Sequence, residues 1–445
     1  MNKVLPGTYI NFVSAARASA MLSDRGIVAC PLELDWGPDG EVFKVEPEDV
    51  ITNSRKVFAH DYGDDEMLPL REIFKNARVL YTYKLNQATK ASNDMAEALY
   101  GGSRGNDIMI SVAQNVDNES AWDVSTILAG RVVDTQTVAS SANLVPNDYV
   151  KFKTFDLEAT AGTPLTGGDN GEASGGDYQD FLDKVEGNSF HILACPTDDD
   201  TTKDLFVQFT KRMRDEVGAK FQMVGHKLNK PDYEGCISIR NDSEGILNVE
   251  NALAGVNATV GVSQVVDDTK YGLVYWVAGA EAACAVNASC TAKKYDGEYA
   301  MICNETQSEL EDCINNGELV FHKNGEDYCI LSDVNTFTSF TEDKNSDFSL
   351  NQVIRVLDQI ANDVASTFAN MFIGKVQNDA SGRTSLWNEI VSLHDQLQQI
   401  RAIQNFDSED IVVNAVDTDK RAVSETESVQ PTCAMEKLYM TVTVE

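Results

Sequence analysis

The sequence predicts a multi-domain chain that joins α/β and all-β folds and carries a strand at each end. Three observations support this. At 445 residues the chain has room for two to four domains of roughly 100–200 residues each. Its texture changes near residues 92, 177 and 339, from mixed to strand-rich, then to alternating strands and helices, then to long helices. Both ends are β-prone segments with no neighbouring strand to pair with. A hydrophobic share of 42% excludes a disordered chain, which could not bury enough apolar surface to offset its ordering entropy. No apolar run is long enough to span a membrane, and the first twenty residues lack the unbroken apolar stretch of a signal peptide. With 36 basic against 70 acidic residues and a net charge of −34, broad attraction to nucleic acid or anionic lipid is disfavoured, since phosphate binding needs basic patches.

Residues 1–20 read as an N-terminal arm. Pro6-Gly7 opens it, and Thr8, Tyr9, Ile10, Asn11, Phe12 and Val13 form one extended β-prone run before the small residues of 14–20. Residues 21–91 read as a small α/β domain. It has a short buried strand at 27–30, a turn-rich connection at 34–38, an acidic helix start at 47–50, helical spacing over 68–76 and a strong strand over 78–85. Residues 92–176 read as a β-sandwich domain, with strands at 107–112, 125–133 and 149–152 punctuated by turn residues. The stretch 162–176, rich in Gly, Ser and Thr, reads as a loop or linker.

Residues 177–338 alternate strand and helix, which argues a mostly parallel, doubly wound sheet. Strands are expected at 190–195, 221–225 and 235–239, and over 271–281, which then runs into an Ala-rich helix. Helices are expected at 177–185 and 201–218, the latter with Leu205, Phe209, Met213 and Val217 on one stripe. Residues 339–445 read as an α+β domain. It has a long helix over 350–372, striped by Val353, Val356, Leu357, Ile360, Val364 and Phe368, a second helix over 384–403, and a strand at 411–413. In the closing strand at 437–445, Leu438, Met440, Val442 and Val444 alternate with Tyr439, Thr441 and Thr443.

Few residues suggest chemistry. Asp198, Asp199 and Asp200 follow a predicted parallel strand, where open α/β sheets bind ligands, and three carboxylates there could hold Mg²⁺. Equally, Asp200 and Thr201 would cap the next helix, and no phosphate cradle accompanies them. The histidines at 60, 191, 226, 322 and 394 show no HExxH or HxH grouping, and no GxSxG occurs. The Gly-rich run 101–105 leads into a strand rather than a helix N-terminus, so it reads as a turn. Nine cysteines without a CxxC read as buried free thiols. Cys284 and Cys290 fit no common zinc spacing, and their nearest histidine is His322. No catalytic constellation and no cofactor site stands out.

Several stretches together resemble the contractile phage tail sheath protein family, which also supplies the sheath of phage-tail-like bacteriocins. They are Leu5-Pro6-Gly7-Thr8-Tyr9-Ile10-Asn11-Phe12, Arg25-Gly26-Ile27-Val28-Ala29, Leu34-Asp35-Trp36-Gly37-Pro38, Asn378-Asp379 with Gly382-Arg383, the helix around Trp387, residues 398–406, and the closing Met440-Thr441-Val442-Thr443-Val444. The resemblance implies a subtilisin-like α/β domain without a catalytic triad at 177–338, a C-terminal α+β assembly domain at 339–445, and an outward β-sandwich at 92–176. It implies that residues 8–13 and 438–444 are arms that add strands to neighbouring subunits, with flexible roots near 14–20 and 424–431. The implied partners are further copies in a helical stack of rings, a tail tube protein on the inner face, and a baseplate and tail terminator at the ends, with no nucleic acid and no membrane contact. The implied setting is a virion or phage-tail-like particle assembled in the host cytoplasm. The competing readings are a cytosolic α/β enzyme or metal-binding protein using Asp198, Asp199 and Asp200, and a different self-assembling shell or tube.

Overall fold

The computed structural model describes residues 21–246 and 270–444; the expected strand at 8–13 lies outside them. The chain divides into two compact units, Asp24–Arg355 with residues 433–444, and Val356–Thr432 with residues 21–23.

The first unit opens with β1 (Ile27–Leu32), β2 (Val42–Val45) and β3 (Val79–Lys84). β1 and β3 run parallel, with Ile27 opposite Val79 and Leu32 opposite Lys84, and β2 pairs antiparallel on β3. The acidic start at 47–50 becomes the helix Pro47–Ile51, whose Asp49 carboxylate accepts the Glu46 N–H at 2.9 Å, a favourable charge at a helix N-terminus.

A β-sandwich follows, built from β4 (Ala96–Ala98), β5 (Ile108–Gln114), β6 (Trp122–Leu128), β7 (Arg131–Val138), β8 (Val150–Phe152) and β9 (Thr160–Pro164). A four-stranded sheet in the order β7-β6-β5-β9 accompanies the pair β4-β8, and Ala96, Ala98, Ile110, Val112, Val124 and Val150 share one core. The single strand expected over 125–133 is two strands. Ala129 and Gly130 take φ of 47° and 77°, the left-handed pair that a two-residue hairpin turn requires. The Gly-rich stretch expected as a linker is anchored instead: it enters β9, buries Leu165, and bridges Thr166 to Ser92 and Asp169 to Thr89.

Next come the helix Gly175–Val185, β10 (Ile192–Cys195), the helix Asp200–Arg212, β11 (Gln222–His226), β12 (Cys236–Ile239), β13 (Ser243–Ile246), the helix Leu273–Ala283, β14 (Tyr299–Met301), β15 (Glu318–Leu319), and the hairpin of β16 (Phe321–Asn324) and β17 (Asp327–Ile330). The main sheet has seven strands in the order β15-β12-β11-β10-β1-β3-β2, parallel except for β2. The strands of 21–91 therefore lie in one sheet with those of 177–338, where two separate domains were expected. Consecutive β1 residues Val28 and Ala29, which point to opposite faces of the sheet, are both fully buried, so β1 needs cover on both faces. Val28, Cys30, Ile192, Ala194 and Val224 pack on one face with the helices Leu68–Phe74 and Leu273–Ala283. Ala29, Leu193, Cys195 and Met223 pack on the other with the helices Gly175–Val185 and Asp200–Arg212.

Two further expectations change here. The segment at 271–281 is no strand: from Leu273 to Ala283 it is helical, with every residue through Ala282 buried. A run that is apolar all round shows no period, so it cannot tell a buried helix from a buried strand. The stripe on the helix Asp200–Arg212 also ends early. Phe206, Phe209 and Met213 are buried, but a π-helical turn over Met213–Val217 shifts the phase and leaves Val217 exposed.

In the second unit the helix that begins at Asn351 runs to Thr367 and ends in a π-helical turn, Phe368–Phe372. The helix Ala380–Gln399 is capped by Asp379, which accepts the Gly382 N–H at 2.7 Å. β18 (Ile403–Gln404), β19 (Ile411–Ala415), β20 (Val423–Glu427) and β21 (Gln430–Pro431) complete it. Phe372, Leu386, Ile390 and Ile411 form its core.

Candidate functional site

Of the two arms, Thr8 to Val13 falls outside the described residues, and the C-terminal arm is described through Val444. The approach to that arm is bound, not free. β20 pairs antiparallel with β19 from Ile411–Glu427 to Ala415–Val423, and β21 pairs Ile403 with Pro431 and Gln404 with Gln430. The flexible root expected at 424–431 is thus mostly held in two-stranded ladders. Thr432 extends the second ladder, its N–H donating to the Ala402 carbonyl at 2.9 Å. After it, the Ala434 N–H donates to Gln352 Oε1 at 2.9 Å, and the Glu436 carboxylate accepts from Thr291 Oγ1 at 2.6 Å.

Beyond Glu436 the chain makes no strand and no backbone hydrogen bond among the described residues. Leu438, Tyr439, Met440, Val442 and Val444 are 69–90% exposed. The strand expected at 437–445 is therefore not formed within one chain. A strand needs a ladder partner, and a period-two apolar row has no reason to order with all its side chains in water. Five large apolar side chains stand together in one short exposed run, and contiguous exposed apolar surface is uncommon on soluble monomers.

The chemical candidates disperse. Asp199 caps the helix Asp200–Arg212 by accepting the Thr202 N–H at 2.7 Å. Asp200 pairs with Lys203 at 3.3 Å, and Asp198 meets His226 Nδ1 at 2.9 Å. Three carboxylates on three partners do not converge on an ion. Each histidine also has a structural contact. His191 Nδ1 accepts the Ile27 N–H at 3.3 Å, and burial, helped by Arg25, pushes its pKa down to about 3. His322 Nδ1 contacts the Cys329 carbonyl at 3.1 Å, and His394 Nδ1 contacts the Ile390 carbonyl at 2.9 Å. The run 101–105 is a packed turn: at Gly102, with φ of 130°, a Cβ would fall 1.8 Å from the Asp35 carbonyl oxygen, so only glycine fits.

Family models of the phage tail sheath match the chain in four successive parts: the domain III N-terminal region over residues 25–85, the β-sandwich domain over 86–170, the central domain over 171–336 and the C-terminal domain over 343–445. A sheath tail protein of Desulfitobacterium hafniense is 34% identical, with a TM-score of 0.81 over 98% of this chain and 99% of its own. The chain belongs to the phage tail sheath protein family. It is also 31% identical to the phage-like element PBSX protein XkdK of Bacillus subtilis, over 98% of this chain and 97% of that protein. The helical sheath of the anti-feeding prophage in its contracted state shares the fold across the whole of both chains, at 12% identity and a TM-score of 0.57. As a tail sheath protein the chain is a structural component of a phage tail or phage-like particle.

Two polar clusters of this sheath protein escape sequence reading because tertiary folding, not local spacing, brings their members together. Arg355, 2% exposed, donates to Glu281 Oε2 at 2.5 Å and to Asp333 Oδ2 at 3.2 Å, and to the Ala288 carbonyl at 2.8 Å. Burial opposes the Asp333 charge, yet Arg355 and the Cys290 N–H hold its carboxyl below the usual range. Burial, with Asp333 nearby, pushes Glu281 well above it. The second cluster lies at the carboxyl ends of β1 and β3, where His60 Nε2 is 2.9 Å from both Asp35 oxygens and Nδ1 is 3.3 Å from Asp64. It lines a cleft of about 590 Å³. A parallel strand end beside a turn rich in Asp and Glu is the signal that could have located it.

Proposed function

We propose that this sheath protein polymerises helically around an inner tail tube, linked to its neighbours by strand exchange, and contracts to drive that tube through a bacterial envelope. The observation that carries the reading is the exposed, unpaired run of Leu438, Tyr439, Met440, Thr441, Val442, Thr443 and Val444. Open N–H and C=O groups on an apolar strand are a template for pairing with another chain. Residues 8–13 take the corresponding role at the other end. Main-chain bonds through such arms hold neighbours together while the subunits rotate and slide.

In this reading the central sheet is a subtilisin-like frame used as a rigid body, and the protein has no enzymatic activity. Extended sheath is metastable, and contraction runs downhill because the contracted lattice buries more surface between rigid units; no nucleotide is consumed. The likeness of fold to a contracted helical sheath supports a lattice that such units can enter. Baseplate and tail terminator close the two ends, and assembly takes place in the cytoplasm of the host. Electron microscopy of the purified chain tests the reading. The full chain is expected to form tubes or rings, and removal of residues 437–445 is expected to leave a folded monomer that forms neither. Normal tubes without that segment would refute arm exchange.

A further inference from the structure

His60 sits among three carboxylates that two loops bring to it. Asp35 lies in the turn after β1, which Asn86 pins by accepting the Leu34 N–H at 2.9 Å. His60 follows the helix Ser54–Phe58, which ends at Ala59 with φ of 58°. Arg104 Nε fixes that corner by donating to the Ala59 carbonyl at 2.9 Å. Asp64 accepts the Asp61 N–H at 2.9 Å, and Glu66 stands in the 3₁₀ turn Asp65–Met67. The imidazole is 3% exposed. Its Nδ1 faces Asp64 at 3.3 Å, and a carboxylate only accepts, so Nδ1 carries a hydrogen. Nε2 and Asp35 are then two bases 2.9 Å apart, and something positive must sit between them. Glu66 Oε2 is 3.6 Å from the ring, and one donor atom each from Asp35, His60 and Glu66 lies within 4.8 Å of the others. A proton bridges two bases; a divalent ion engages all three. Donors 2.9 Å apart suit adjacent positions on one ion with bonds of about 2.0–2.2 Å. Asp64 on the other ring nitrogen is the outer carboxylate that orients a ligating histidine.

Two independent observations point to a bound ion. Among the described residues no lysine or arginine pairs with Asp35, Asp64 or Glu66, whose ion-pair contacts all go to His60. His226 lies likewise between Asp198 and Asp242, at 2.9 Å from each, but there Lys227 pairs with Asp242 and supplies the cation. The second observation is Trp36. It is 1% exposed and lines the same cleft as Asp35, His60 and Glu66, yet its Nε1–H has no acceptor. A water or anion completing an ion's shell in that cleft gives it one.

We propose that Asp35, His60 and Glu66 bind one divalent transition-metal ion of the zinc or manganese type, with Asp64 as the outer support. An imidazole beside two carboxylates suits such ions better than Mg²⁺ or Ca²⁺, which take oxygen donors. Water fills the remaining positions from the cleft. The ion ties the turn after β1 to the loop at 59–66, so its role is to fix two segments of the frame rather than to do chemistry.

The test uses the full-length chain, stripped with a chelator and titrated with Mn²⁺ in excess Mg²⁺, which occupies the general acidic surface. Mn²⁺ is the probe because it has little affinity for the nine thiols. Paramagnetic resonance of free Mn²⁺ should show one ion bound per chain, and Zn²⁺ should displace it. The bound ion should show magnetic coupling to one imidazole nitrogen. His60→Gln should abolish both the binding and the coupling, and Asp64→Asn should weaken binding about 10–100-fold. Glu33→Gln, on the same cleft but outside the cluster, should leave binding unchanged. The proposal is overturned if no Mn²⁺ binds above the Mg²⁺ background, if the bound ion lacks nitrogen coupling, or if His60→Gln binds it in full. The coupling is read on the parent chain, so the test stands even where a substituted chain does not fold. Because the isolated chain is measured, the outcome is independent of whether the protein forms tubes.

Discussion

In the seven-stranded sheet Val28, Leu193 and Val224 are fully buried, whereas Leu438, Met440 and Val442 stand in solvent, although both sets are apolar. The sheet residues have ladder neighbours on both sides and helices over both faces. The tail residues have neither, and the ladders just before them are short two-stranded pairs. Propensity is similar in the two places; what differs is the partner. A region whose partner is in the same chain contributes to the stability of that chain, and a region whose partner is absent should contribute to assembly instead. Removing groups from the first should unfold the monomer, and removing them from the second should leave it intact.

The largest effect is expected at Arg355. Arg355→Met leaves Asp333 charged and buried with no cation, and should lower unfolding free energy by about 3–5 kcal/mol, read by denaturant titration of the first unit. Leu193→Ala should cost about 2–5 kcal/mol through the cavity it opens; a loss below about 1 kcal/mol would show that this face is loosely packed. A smaller, pH-dependent effect belongs to the second unit. Burial opposes protonation of His394, but Glu427, 3.1 Å from Nε2, and the Ile390 carbonyl outweigh it and raise its pKa, while nearby Glu425 is itself raised by burial and by Glu427. A raised histidine pKa contributes stability in full below the unfolded value of about 6.5, and the contribution is lost as pH rises through the folded value. His394→Gln should therefore destabilise this unit more at pH of about 5 than at about 9, measured by thermal unfolding at both. The smallest effect on the monomer is expected at Met440→Asp, within about 0.5 kcal/mol of the parent, yet assembly should fall sharply. The −34 charge refines the same contrast. Subunits that repel one another should assemble more readily as salt shortens the Debye length to about 10 Å at 0.1 M, and light scattering against salt concentration measures this.

Where the hydrophobic period was clean, sequence and structure agree: the strands at 27–30, 190–195 and 235–239, the helices near 177–185 and 350–372, and the strand-rich character of 92–176. Disagreements arise where one residue changes the geometry or where the partner is distant. Ala129-Gly130 splits a strand because a left-handed pair can hide in a β-prone run. The helix Leu273–Ala283 read as a strand because it is apolar on every side. Strands of 21–91 joined the sheet of 177–338 because pairing of β1 with β10 depends on residues about 160 apart, which local patterning does not report. At the candidate site, the tail's alternation was legible and its unpaired state within one chain was not. The Arg355 cluster was invisible for the same reason as the β1–β10 ladder.

The central claim is that residues 438–444 pair with another subunit. Backbone hydrogen exchange, compared between monomer and assembled tubes, tests it most directly. The monomer amides of Leu438 to Val444 should exchange at rates near those of an unstructured peptide. In tubes they should slow by orders of magnitude, in the alternating pattern of a strand bonded on one edge, or along its whole length if bonded on both. Tubes in which these amides still exchange as fast as in the monomer would contradict the account.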